Sequence, residues 1–262
     1  MDARLIITAL LFWTSNVLSQ GFDHSHQAWD VLLKKQVVVL DGGKASQLRY
    51  AGMARDHAAL KGYLAGLSAL GQAEFKGWTR PQQMAFLINA YNGFMVEKVL
   101  ARYPDIRSIW DFGKVFGNPF KDEFFFLLGR KGSLDWIEHE VLRKQYRDPR
   151  VHYAVNCASV GCPMLREEAY VAERLERQLE EQARRFLADR SRNRLRDGKL
   201  EVSKIFDWYK EDFEPRGRYF ARYAALFSDD AETRKIIAGG KVALSFLEYD
   251  WSLNDFRSSS RR

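Results

Sequence analysis

The chain has 262 residues, 46% of them hydrophobic and 29% charged, with a formal net charge of +7. That balance excludes a disordered or fibrous chain and fits a globular one with a sizeable core, enriched in aromatic side chains at 14%. The basic excess is expected on a solvated surface, because no basic run with interleaved aromatics points to nucleic acid.

Arg4 precedes an apolar run, Leu5–Trp13, and Val17 and Ser19 satisfy the small-residue rule for cleavage before Gln20. Residues 1–19 therefore read as a signal peptide, and the protein as exported, periplasmic or secreted. The run is too short to span a bilayer, and no later segment reads as transmembrane. A single domain is expected over residues 20–256, followed by a short disordered tail, 257–262.

Trp29–Lys34 reads as a short helix, Gln36–Leu40 as a strand and Asp41-Gly42-Gly43 as a turn. Asp56–Leu67 reads as a helix with Leu60, Tyr63, Leu64 and Leu67 on one stripe. Thr79 and Gln82 form a capping box for a helix from about Arg80 to Arg102, which must end before Pro104. Beside its apolar stripe lie Asn89 and Asn92, three apart and so on one face.

Phe124–Leu128 reads as a strand, and Ser133 as the cap of a helix over Leu134–Lys144 carrying Glu138, His139 and Glu140. Val151–Ala158 reads as a strand with His152, Ala154 and Asn156 on one face. Pro163 suits a first helical turn, which puts Cys162 at a helix N-terminus. Val171–Ala188 reads as an amphipathic helix, Lys199–Ser203 as a strand, Asp207–Phe213 and Tyr219–Phe227 as helices, and Val242–Tyr249 as a last strand. Helices dominate and do not alternate regularly with strands. The expected fold class is α+β, predominantly helical, with a small mixed or antiparallel sheet.

Several segments resemble the domain-of-unknown-function 547 family: residues Ala85-Phe-Leu-Ile-Asn-Ala-Tyr-Asn92, Ser133-Leu-Asp-Trp-Ile-Glu-His139, Arg150-Val-His-Tyr-Ala-Val-Asn-Cys-Ala-Ser-Val-Gly-Cys-Pro163 and Ser203-Lys-Ile-Phe-Asp-Trp-Tyr209. Asp212-Phe213 and Tyr249-Asp-Trp251 also fit its pattern. The resemblance runs from about Trp29 to Leu253, of the kind expected of an exported bacterial member. It implies motif positions at Asn89, Asn92, Glu138, His139, His152, Cys162 and Pro163, and it assigns no activity.

Cys162 is the first candidate for chemistry. At a helix N-terminus its thiolate, the nucleophilic form, would be favoured. His152 or His139 then serves as base, and Asn89, Asn92 or Glu138 orients it, the recipe of cysteine hydrolases. A papain-like general layout follows only by analogy. On this reading the chain is a thiol-dependent hydrolase or acyl transferase acting on a small-molecule or peptide-like, amide-like ligand. A second reading is a non-catalytic binding module whose turn is fixed by a Cys157–Cys162 disulfide. A third is a metal-dependent hydrolase built on Glu138, His139 and His152, although no recognised zinc spacing is present. No cofactor is implied. Trp208, Tyr209 and Trp251 are expected in the core, with a sugar-binding platform as the alternative.

Overall fold

The structure, a computed structural model, describes residues 21–113 and 117–257. The expected leader at 1–19 and nearly all of the expected tail lie outside the described residues. The fold is α+β and predominantly helical, and its strands form three small sheets. Val37–Leu40 pairs antiparallel with Ala45–Leu48, and Phe125–Leu127 with Arg130–Gly132. In the third sheet Lys199–Val202 runs antiparallel to Arg194–Arg196 and parallel to Ala243–Phe246. The strand expected over Val242–Tyr249 is thus shorter, and its parallel pairing closes the sheet with the C-terminal part of the chain.

The organising element is the helix Arg80–Leu100. Thr79 accepts from the Gln82 backbone and Gln82 reaches back to the Thr79 backbone, the capping box expected from sequence. Met84 through Val96 are all buried, so this helix is apolar on every side and sits inside the molecule. Trp29, Leu60, Leu67, Phe86 and Leu134 join it in one hydrophobic cluster, with the predicted stripe Leu60, Tyr63, Leu64 and Leu67 facing inward. A second cluster, built on Tyr153, Phe186, Phe206, Phe213 and Phe220, forms from the C-terminal helices and the third sheet.

Two expectations fail where the candidate site is built. Val151–Ala158 is not a strand. Val151–Ala154 forms a single helical turn, started by Val151 and Tyr153 donating to the carbonyls of Asp148 and Arg150, and the chain becomes extended at Val155. The β preference of Val151, Tyr153 and Val155 is a weak prior, and the turn at Asp148-Pro149 outweighs it. His152, Ala154 and Asn156 therefore do not share one face. No helix follows Cys162 either: residues 162–170 are irregular, and the next helical turn begins at Ala172. The thiol feels no helix N-terminus.

The segment after Ser133 is helical, and Ser133 accepts from the Trp136 amide as expected of a cap. Over Trp136–Tyr146, however, it winds as a π-helix, with i to i+5 hydrogen bonding. Such wide turns are rare and cluster at functional sites. The turn presents both Glu138 and the adjacent His139 to one pocket.

Candidate functional site

A pocket of about 380 Å³ lies where the two hydrophobic clusters meet. Cys157, Cys162, Glu138, His139 and His152 all line it. Folding thus brings together four of the six side chains expected to form the site. Asn89 and Asn92 are not among the lining residues.

The cysteines form one corner. Cys157 is half-buried and Cys162 is 6% exposed. Both are free thiols, with the sulphurs 2.9 Å apart, so no disulfide fixes this turn. The Cys157 amide donates to Cys162 Sγ at 3.0 Å, and Tyr249 Oη lies 3.1 Å from Cys157 Sγ. Burial pushes both thiols up. For Cys157, hydrogen bonds from Cys162, Tyr249 and Ser159 outweigh burial and hold the thiol below its ordinary value. Burial and the neighbouring Cys157 both push Cys162 well up. The two thiols thus titrate as a pair, with the lower value on Cys157. The helix expected to favour a Cys162 thiolate does not form.

The turn carrying the sulphurs is held from both sides. Asn156 donates through Nδ2 to the Pro163 carbonyl and accepts through Oδ1 from the Ala158 amide. Ala158 sits in the left-handed region at φ 61°, a strained position for a residue with a Cβ. On the other side Val160 and Gly161 donate to the carbonyls of Ser252 and Asp250, each at 2.8 Å. Gly161 fits closely there: a Cβ would stand 3.0 Å from both N and O of Asp250, so that backbone would have to give.

The opposite corner is charged. His152 Nε2 lies 2.6 Å from Asp212 Oδ2, and its Nδ1 is 3.6 Å from Glu138 Oε1. The Tyr209 ring stacks on the imidazole at 4.0 Å and hydrogen-bonds Glu138 through its hydroxyl. Arg143 grips Asp212 with two bonds, at 2.5 and 3.1 Å. Burial works against charge on His152, but the two carboxylates outweigh it and raise its pKa. On Glu138, burial is outweighed by His152, His139 and Tyr209, so its pKa falls. Burial is outweighed on Asp212 too, by His152 and Arg143. His152 lies between two carboxylates that favour its protonated form. Its buried Nδ1 has no hydrogen-bond partner.

His139 does not approach the sulphurs either. Its Nδ1 accepts from Arg143 Nη1 at 2.9 Å, because a guanidinium can only donate, and its Nε2 lies 3.6 Å from Asp135. Among the described residues no hydrogen bond joins a sulphur to either imidazole, so the expected cysteine–histidine dyad is not formed. No group of three His, Cys, Asp or Glu side chains among them is arranged to hold a metal ion.

The two asparagines brace the backbone. Asn89 is buried and spends both amide atoms on the Tyr170 backbone, at 2.7 and 3.0 Å, so it orients no catalytic group. Asn92 clamps the site segment from behind, donating to the Ala154 carbonyl at 2.9 Å and accepting from the Asn156 amide at 2.8 Å. These bonds satisfy groups that would each cost a few kcal/mol if buried alone.

The aromatics expected in the core are divided. Tyr209 is tucked against His152, but Trp208 is 44% exposed and Trp251 is partly buried. With Trp110, 40% exposed, and Tyr249 they wall one side of the pocket. Trp208 stacks on Trp251 at 5.6 Å, and Trp110 meets Trp251 edge-on at 5.3 Å.

Residues 75–187 match the model of the family described as "Protein of unknown function, DUF547". The resemblance seen in the sequence motifs is therefore shown over this segment. The matched segment includes Asn89 and Asn92 and, from the pocket lining, Glu138, His139, His152, Cys157 and Cys162. Asp212, Tyr209 and Tyr249 come from beyond it. No curated protein and no solved structure matches the chain, so a papain-like layout remains an analogy. Among the described residues no helix is long and apolar enough to cross a membrane.

Sequence reasoning missed Asp212, Tyr209, Tyr249 and Asn156 as site residues. Their signal was present, since each lies in or beside a segment quoted for the family resemblance, but periodicity alone could not pair segments so far apart.

Proposed function

We propose that the protein is a thiol-dependent acyl transferase or hydrolase acting on a peptide- or amide-like substrate, with Cys157 as the attacking sulphur. The observation that carries the reading is the position of Cys157: half-buried on the pocket wall, with the Cys162 sulphur at 2.9 Å and the Tyr249 hydroxyl at 3.1 Å. Hydrogen bonds that hold the Cys157 thiol below its ordinary value reduce the need for a general base. Attack forms a carbon–sulphur bond to the acyl carbon and breaks the bond to the leaving amine. The leaving amine takes its proton from water in the pocket. Water or an acceptor amine then attacks the thioester carbonyl, breaks the carbon–sulphur bond and gives up its proton to the solvent, which restores the Cys157 thiolate. The tryptophan wall offers flat apolar faces to the rest of the substrate.

The test is mass spectrometry of the reduced protein after brief exposure to p-nitrophenyl acetate and to peptide amides. An acetyl group on Cys157, with turnover of at least one amide, supports the reading. Labelling confined to Cys162, or no labelling below pH 9, overturns it.

We propose further that the chain is exported and cleaved after Ser19, as its first residues suggest. Mature protein beginning at Gln20 is the expected result, and an intact Met1 in the secreted or periplasmic fraction refutes cleavage.

A further inference from the structure

We propose that Cys157 and Cys162 are a thiol–disulfide exchange pair, with a glutathione-like or peptide disulfide as the substrate that enters the pocket. This goes beyond acyl transfer, since it needs no carbonyl substrate and uses the second sulphur as a reactant.

The geometry points to exchange in three ways. The sulphurs stand 2.9 Å apart, and roughly 1 Å of approach brings them to the disulfide bond length of about 2.05 Å. Both sulphurs line the pocket, but their exposure is unequal: Cys157 is half-buried, while Cys162 is 6% exposed. An incoming disulfide thus meets Cys157 more readily, and Cys162 stands beside the mixed disulfide. Finally, the turn between them is pinned by Asn156 and by the 250–252 backbone, so the sulphurs cannot drift apart. A disulfide closing so short a loop gains little chain-entropy stabilisation and is readily reduced again. Two inert thiols buried as small apolar groups would not need a pocket, a hydroxyl partner at 3.1 Å and a strained residue between them.

The opposite direction of the two thiol shifts supports the same order of events, the outer sulphur attacking and the inner one resolving. Cys157 thiolate attacks one sulphur of R–S–S–R′. A Cys157–S–R bond forms, the substrate bond breaks, and R′–S⁻ leaves, taking the Cys162 proton. Cys162 thiolate then attacks Cys157 Sγ and expels R–S⁻, which is protonated from water. Two protein thiols lose two electrons and two protons, and one external disulfide becomes two thiols.

The experiment uses the reduced full chain and oxidised glutathione, with acid quenching at intervals and intact-mass and peptide mapping. The expected product is protein lighter by two hydrogens, with both cysteines closed to alkylation. Cys162→Ser should stop at one glutathione adduct on Cys157, and Cys157→Ser should take no adduct in the same time. Wild-type protein that keeps a stable glutathione adduct beside a free thiol, or whose two thiols stay open to alkylation, overturns the proposal. The wild-type result decides even if a variant folds poorly. Protein acylated at Cys157 that never closes the disulfide sinks exchange alone. Protein that closes it but accepts no acyl group sinks the acyl-transfer reading alone.

Discussion

At one end of the pocket two sulphurs five residues apart lie 2.9 Å from each other. At the other end one imidazole meets a carboxylate from 60 residues further along the chain. The sulphur corner is largely local: its turn, its strained Ala158 and its Asn156 brace come from one short segment, while Asn92, Tyr249 and the backbone after Tyr249 reach it from a distance. The charged corner is assembled from the π-helix, the turn Val151–Ala154 and the segment around Asp212. Reactivity can therefore be altered at the first corner with little harm to the fold, whereas the second couples chemistry to stability.

The largest effect expected is Cys157→Ser, which should abolish acyl labelling and lower any amide turnover by more than about a thousandfold, a scale typical of losing an attacking nucleophile. Cys162→Ser should retain acyl labelling of Cys157 while raising the pH at which the thiol alkylates, because one hydrogen bond to the thiolate changes. Equal loss in both variants would erase the distinction between the two sulphurs.

His152→Ala should be the most costly for stability, by about 3–5 kcal/mol in denaturant unfolding, because Glu138 and Asp212 lose the cation between them. The pH dependence follows from the signs. The folded pKa of His152 lies above its ordinary 6.5, so its contribution is full below that value and is lost as pH rises through the folded pKa. Glu138 and Asp212 are shifted down from 4.5 and 3.8, so theirs is full above those values and is lost as pH falls. The charged corner stabilises most between 4.5 and 6.5. Thermal unfolding of His152→Gln should lack the decline expected of the wild type above pH 6.5; an identical profile would remove His152 from the account.

Asn92→Ala should cost about 1–3 kcal/mol for each buried backbone group it leaves unpaired, and should also slow alkylation of Cys157 as its segment loosens. Asn89→Ala should be destabilising in the same range and leave alkylation unchanged, since its partner is Tyr170. Alkylation slowed equally in both would mean that Asn92 is not a specific clamp. The smallest effect belongs to Tyr249→Phe, which removes one hydroxyl from Cys157 and should slow its alkylation at pH 7 by up to about tenfold. No change would take Tyr249 out of the sulphur corner.

Local signals in the sequence determined the elements whose energetics are local. The Thr79–Gln82 capping box, the stripe Leu60, Tyr63, Leu64 and Leu67, and the Ser133 cap all depend on neighbours within a turn or two, and each is present as read. The α+β class and the residue types of the pocket were legible for the same reason. Only the tertiary structure decided which sulphur is the more exposed, which carboxylates flank His152, and that Asn89 serves Tyr170 while Asn92 serves the site segment. Helical and extended forms of Val151–Ala158 differ little in intrinsic propensity, so the Asp148-Pro149 turn together with the distant Asn92 clamp selected one. Charge states followed the same rule. Two carboxylates raise the pKa of the histidine between them, and they meet it only after the chain has folded.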